Sequence, residues 1–528
     1  IMSSNLEVIL QDPAVARQIF WYSKQIDLIR FSITTKRNGE LVKLYAPVLR
    51  CKHCPGLDSY IGLKALIIED ECTLIELPPN LTELHALEAR NCACSFPKTL
   101  KTLSVWCADE MDVTPENFPS LEHLEVSEAK DDKILEMDQL LTLSFISQSM
   151  FLKITRLPSS LTSLTILFDK QYFDVQHPTC SKFQEMLPKS LLKLTVVVID
   201  PHMEPQGWRM SNLHLHLQEL NFLSQSEWNM EEDDFFHSNV RKITSDGCRF
   251  SKLPRDLEHF EFGRISRPLM TEISSYVNEI KLLPQNLKSL CVHPFVVFDI
   301  DGIVAAVPRS LEILEFNFEE TPQELNNFPI RPRFLPPKLA KLSASHKMLH
   351  ILANEVCDLP KTLKNMSYIT FGSDPSEPET KDLDLRHLSE LETLDCVTDG
   401  KRKPNVYLPN SLSYLTIDCK PVEFPKNLIY LELGAKIEPE DFPKLPQSLR
   451  ALKAESVTDN AEVKYPPMIE EILTDFLSIT QSLLPRTIKY AIALDENGGI
   501  SYGVHETIDG PVIYTYNHYM TQSGTGDS

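Results

Sequence analysis

One hydrophobic pattern recurs along most of the chain. In "LPKSLLKLTV" at 187–196, a Leu-Pro pair precedes apolar residues spaced i, i+3, i+5. The spacing returns in "FPKTLKTLSV", "LPSSLTSLTI", "LPQNLKSLCV", "VPRSLEILEF", "LPNSLSYLTI" and "FPKNLIYLEL", among other copies. Degenerate versions, "HLQELNF" at 216–222, "LSELETLDC" at 388–396 and "PPMIEEILTDF" at 466–476, fill longer gaps. With these included the chain holds about 17 units, a period that signals a repeat architecture.

Each unit predicts one short strand. Leu103 and Val105 alternate as a half-buried strand does, and Leu100 enters from the preceding turn. Pro97 has a fixed φ and no N–H to offer a ladder, so it belongs just outside that strand. One coil cannot bury its own leucines, whereas parallel strands stacked about 4.8 Å apart share a continuous core. The expected fold is an α/β solenoid, a horseshoe with parallel strands on its concave face. Most return paths leave room for extended chain or a single helical turn. Longer units suggest a short helix at "PQELNNF" or "DLDLRHLSELE".

These motifs resemble the leucine-rich-repeat family in its Leu-Pro variant, seen in FNIP-type repeats and bacterial leucine-rich effectors. The resemblance covers roughly residues 60–494. It departs from the family where an asparagine usually follows the strand: here stand Ala108, Asp169, Ile199 or Lys436.

Upstream the apolar spacing turns helical in "VARQIFWYSKQIDLIRFSITTKRNGELVKLYAPVL". Pro13, Ile19-Phe20, Asp27-Leu28, Phe31-Ser32-Ile33 and Lys36-Arg37 resemble an F-box, the small all-α module that docks on the Skp-family adaptor of cullin–RING ubiquitin ligases. Thr35 stands where that family has cysteine, and no Trp follows Lys36. The resemblance implies that Pro13, Ile19, Phe20, Leu28, Ile29 and Phe31 contact the adaptor. The same segment also reads as a helical cap over the first apolar edge of the stack. The expected organisation is an F-box-like module at 1–48, a repeat solenoid at 49–494, and a C-terminal β-cap with a flexible tail at 495–528.

A net charge of −22 sets the field of this protein against nucleic acid and anionic membranes, and favours basic or apolar protein partners. The 12 cysteines form no regular framework and suit a reducing compartment. No apolar run reaches the roughly 18 residues of a membrane span, and "IMSSNLEVILQDP" lacks signal-peptide features. The expectation is a cytoplasmic or nuclear protein.

Several motifs suggest chemistry and lack its context. "VVFDIDGIV" at 296–304 resembles the opening of haloacid-dehalogenase phosphatases but fits within one repeat. "GISYG" at 499–503 fits a nucleophile elbow, yet the following residues alternate like strands. "CKHC" at 51–54 has the spacing of half a zinc site, without a reliable second half, and "CAD" at 107–109 resembles the centre of bacterial leucine-rich-repeat ubiquitin ligases, which lies there in a helical domain after the repeats. "EEDDFF" at 231–236 lacks calcium-loop spacing. No catalytic residues, metal or cofactor are expected.

Binding should fall on strand residues that flank the buried pair. Trp106, Thr165, Thr195, Tyr414 and Tyr430 are the candidates for substrate contact, the aromatics as anchors. Two functions fit: a substrate receptor joined through the adaptor to a cullin–RING complex, or a leucine-rich-repeat scaffold whose N-terminal helices only cap the stack.

Overall fold

The computed structural model describes residues 48–51, 63–68, 72–73, 77–91, 95–107, 113–126, 134, 136–145, 156–168, 186–198, 216–230, 238–250, 253–262, 283–292, 308–316, 335–345, 359–370, 383–398, 405–458, 463–478, 487–488, 490–494, 500–507 and 510–515. In most coils these are the turn and the strand. The chain divides into two units, Ile1–Pro268 and Leu269–Ser528. Apart from Val48, the expected F-box-like module lies outside the described residues, as do "VVFDIDGIV" and "EEDDFF".

The first unit is a parallel ladder: β1 (Val48–Cys51), β2 (Ala65–Ile68), β4 (Glu83–Asn91), β5 (Thr102–Cys107), β6 (His123–Val126), β7 (Thr142–Phe145), β8 (Ser163–Phe168), β9 (Lys193–Val198), β10 (Glu219–Met230), β11 (Lys242–Phe250) and β12 (His259–Phe262). The short β3 (Cys72–Thr73) pairs with the far end of β4. Strand follows strand in register, so that Leu103 faces Leu84 on one side and Leu124 on the other.

The second unit repeats the arrangement with β13 (Ser289–Val292), β14 (Ile313–Phe316), β15 (Lys341–Ser345), β16 (Asn365–Thr370), β18 (Thr393–Thr398), β20 (Tyr414–Ile417), β21 (Tyr430–Ile437), β22 (Ala451–Thr458), β23 (Glu471–Ser478) and β24 (Tyr490–Leu494). Two-residue strands β17 (Leu383–Asp384) and β19 (Val406–Tyr407) pair apart from this ladder. After β24 the direction reverses, and β25 (Ile500–Thr507) and β26 (Gly510–Thr515) add antiparallel strands.

Leu-Pro-x-x-Leu is a β-turn with a fixed hydrogen bond. The Leu100 N–H donates to the Pro97 carbonyl at 3.1 Å, and Leu191 to Pro188 and Leu363 to Pro360 at 3.0 Å each. Proline serves there as acceptor only, so its missing N–H costs nothing. The next two residues tie the coil to its predecessor: the Glu122 and His123 N–H groups both reach the Lys101 carbonyl, at 2.8 and 2.9 Å. That shared acceptor recurs in neighbouring coils and sets the register before each strand begins.

A side-chain ladder runs through the turns. The hydroxyl just before the turn leucine donates to the carbonyl of the equivalent leucine one coil earlier. Thr99 reaches Leu81 at 2.8 Å, Ser190 reaches Leu161 at 2.7 Å, and Ser310 reaches Leu287 at 2.7 Å. Thr362, Ser411 and Ser448 do the same to Leu339, Leu391 and Leu428. At Asn427 the amide donates instead to the Asn410 carbonyl, two residues before the turn leucine of the earlier coil, at 3.0 Å. Carbonyl capping therefore comes from the turn before the strand rather than from an asparagine after it.

The core is the stack of turn and strand leucines. Leu100, Leu103, Leu121, Leu124, Leu161 and Leu164 are each at most 1% exposed, as are Leu412, Leu415, Leu428 and Leu431 in the second unit. One expected helix is absent. "DLDLRHLSELE" forms β17 and two successive turns, with Leu388 N–H donating to Leu385 and Leu391 to Leu388. Leu383, Leu385, Leu388 and Leu391 are all buried, a spacing of two, three and three that consecutive turns satisfy and a 3.6-residue helix does not.

Candidate protein-binding face

Strand residues between the buried ones form an open face on each ladder. On the first unit, Thr165 of β8 stands in register with Thr195 of β9, and Thr195 with Asn221 of β10. Thr195 differs from the expected exposed contact, being 9% exposed, because the Asn221 amide lies against it and donates to its hydroxyl at 3.0 Å. Ser104 is covered likewise, donating to the Glu125 carboxylate at 2.6 Å. Short hydroxyls sink beneath longer side chains of the next coil, so alternation alone overstates their access.

Glu219 organises this region. Lys193 and Lys242, from the strands on either side, each reach its carboxylate at 3.1 Å, and the Asn221 amide lies at 3.3 Å. Burial alone would raise the Glu219 carboxyl, but the hydrogen bonds from Lys242, Lys193 and Asn221 outweigh it and hold it below the usual range. Trp106 is the fifth residue of β5, and its side chain lies outside the described residues.

On the second unit the structure brings Tyr414 and Tyr430 together. They are direct register partners on β20 and β21, with ring centroids 6.3 Å apart and planes tilted by 32°. Tyr414 is 49% exposed, and Ile429 beside Tyr430 is 36% exposed. The Tyr430 hydroxyl donates to Glu432 at 2.9 Å, while Lys453 donates to the other oxygen of the same carboxylate at 2.5 Å. Burial, then the hydrogen bond and charge of Glu432, push the Tyr430 phenol up to about 12.

Asp395 completes this stretch. It faces Thr416 across β18 and β20, and its Oδ1 is buried with no hydrogen-bond partner. Burial first, and the charge of Glu432 second, raise its carboxyl above the usual range. Sequence spacing locates both Tyr residues; it does not show that Asp395 and Glu432 share a field.

The described residues include Cys51, Cys107 and 500–503 from the sequence motifs above. No group of three His, Cys, Asp or Glu among the described residues could hold a metal ion. Ser501 lies inside β25, where the strand continues past it instead of turning into the helix that a nucleophile elbow requires. Cys291, Cys396 and Cys419 are buried, and burial lifts the Cys396 thiol well above its ordinary value. No described helix is long and apolar enough to cross a membrane.

Stacked parallel coils joined by Leu-Pro turns define each unit. Each is a parallel-stranded solenoid of leucine-rich coils. No protein-family model matches the chain, and no curated protein matches it. Similar solved structures include YopM from Yersinia enterocolitica, at 16% identity over 89% of this chain and 95% of that one, TM-score 0.30. An internalin, InlF, from Listeria monocytogenes is 13% identical over 56% of this chain and 81% of its own, TM-score 0.32. The mouse RP105/MD-1 complex gives 13% identity over 77% of this chain and 75% of that one, TM-score 0.40.

The face offers rigidly spaced polar, charged and aromatic groups on a ladder whose backbone bonds are already satisfied. Pro13, Ile19, Phe20, Leu28, Ile29 and Phe31 lie outside the described residues.

Proposed function

We propose that the chain is the substrate-recognition subunit of an SCF-type cullin–RING ubiquitin ligase, acting in the cytoplasm or nucleus. The solenoid face holds the protein substrate, and the F-box-like segment docks on the Skp-family adaptor. The chain itself performs no covalent step; it places the substrate within reach of the ubiquitin-transferring subunits. The observation that carries the protein-binding part is the open parallel ladder with its Tyr414–Tyr430 pair, Tyr414 exposed and Tyr430 half-buried. The adaptor part is supported by the F-box-like residues between Pro13 and Arg37, placed directly ahead of the repeats.

Co-purification of the full chain with a Skp-family adaptor and cullin tests this reading. Capture that disappears in Phe20→Ala/Leu28→Ala, with the melting temperature unchanged, is the expected result. A well-folded chain that captures no adaptor would leave a leucine-rich-repeat scaffold working outside the ligase.

A further inference from the structure

We propose that the face of β18, β20 and β21 binds an arginine side chain of a partner protein, its guanidinium stacked on Tyr414 and paired with the Asp395 carboxylate. This rests on the reading of that face as protein-binding and specifies what it recognises.

Two groups on neighbouring strands form the receptor. Thr393 pairs with Tyr414 and Asp395 with Thr416, so Tyr414 and Asp395 lie one strand and two residues apart. At about 4.8 Å between strands and about 3.3 Å per residue, their Cα atoms are roughly 8 Å apart. A planar guanidinium spans that interval, lying flat on the ring while its edge meets the carboxylate. The ring is available, since Tyr414 is 49% exposed.

Charge selects the occupant. Glu219, Glu315 and Glu432 on these faces each hold a lysine: Lys193 and Lys242, Lys341, and Lys453. Asp395 holds none among the described residues, has one oxygen buried without a hydrogen bond, and faces the field of Glu432. A desolvated carboxylate in that position favours an incoming cation. The net charge of −22 adds long-range attraction for a basic partner.

The same chain builds a related trio from its own residues, with the ring and the carboxylate directly paired instead of two residues apart. Asp384 and Tyr407 are register partners on β17 and β19. Arg386 lies over the Tyr407 ring at 4.8 Å from its centroid and grips Asp384 through Nε at 2.9 Å and Nη2 at 2.5 Å. At Tyr414 and Asp395 the ring and the carboxylate are present, and the arginine is left to the partner. Arginine fits better than lysine because only its planar fork can stack and pair at once.

The test uses the full chain and two fluorescein-labelled peptides of repeating Gly-Ser-Arg or Gly-Ser-Lys, followed by anisotropy at ~150 mM salt, where long-range attraction is largely screened. The arginine peptide should bind several-fold more tightly. Asp395→Asn and Tyr414→Ala should each weaken it about tenfold, equivalent to about 1.4 kcal/mol. Glu136→Gln, at an exposed position of the first unit, should leave binding unchanged. Burial raises the Asp395 carboxyl, so its charge opposes folding at neutral pH, and Asp395→Asn should hold or raise the melting temperature. Equal binding of both peptides, or undiminished binding by the two variants, would overturn the proposal. So would a clear drop in melting temperature for Asp395→Asn, since the carboxylate would then already have a partner within the chain. No adaptor is present, so failure here is distinct from failure of the co-purification experiment.

Discussion

Replacing Ser190 by alanine isolates the contribution of the turn ladder. Its hydroxyl lies 2.7 Å from both the Leu161 and the Ser159 carbonyls of the coil before it. One hydroxyl proton serves one acceptor at a time, so a single hydrogen bond is lost, a net of about 1 kcal/mol. The Leu161 carbonyl is part-buried and loses its side-chain donor, which brings the expected cost to about 1–2 kcal/mol. Urea denaturation of Ser190→Ala should show this loss, with Lys189→Ala in the same turn, on an exposed side chain, as the control. Ser190→Asn should not restore it in full, because the Asn427 amide donates to the Asn410 carbonyl, the counterpart of Ser159, rather than to the turn leucine. If Ser190→Ala and Lys189→Ala unfold at the same midpoint, the hydroxyls follow the register and do not stabilise it.

Three further perturbations probe other levels of the structure. A Cβ at Gly434 would stand 2.8 Å from the Asp418 Cα and 2.9 Å from its Cβ, beside the register shift after Leu433. Gly434→Ala should therefore cost about 1–3 kcal/mol in chemical denaturation, since backbone must move. Leu164 is fully buried between coils, and Leu164→Ala should cost about 2–5 kcal/mol by the same measurement. Asp441 is 5% exposed and accepts from Lys420 at 2.6 Å, the Glu438 N–H at 3.2 Å and Lys444 at 3.4 Å. Burial alone would raise its carboxyl, yet these bonds hold it below the usual range. Its stabilisation is thus present above about pH 4 and lost as the pH falls through the lowered folded value. Asp441→Asn should flatten the acid limb of a melting-temperature profile, and an unchanged profile would refute the assignment.

The recurring Leu-Pro-x-x-Leu-x-x-Leu determined the strands, their buried residues and their stacking, because each position answers to one local constraint repeated many times. Even Thr99, Ser160 and Ser190 carry a readable signal, a hydroxyl or amide side chain standing before the turn leucine. The pairing of Tyr414 with Tyr430 follows from their equal place in adjacent repeats. The helix expected at 382–392 failed because leucines two and three apart serve turns as well as helices, and only the neighbouring coil decides between them.

What alternation could not supply is lateral context. Whether an outward hydroxyl is open or covered depends on the length of the side chain one coil away, as Thr195 under Asn221 shows. Coil lengths vary, so the sequence separation of Asp395 from Glu432, or of Asp418 from Gly434, gives no measure of their distance. Their proximity arises because parallel strands stack at about 4.8 Å per step, so that Asp395 and Glu432 lie two steps apart on either side of Thr416. The sequence alone therefore determined the repeat and its core, through local turn chemistry and apolar spacing. Tertiary stacking decided which polar groups are desolvated and which are paired, because desolvation and Coulomb energy depend on neighbours across coils.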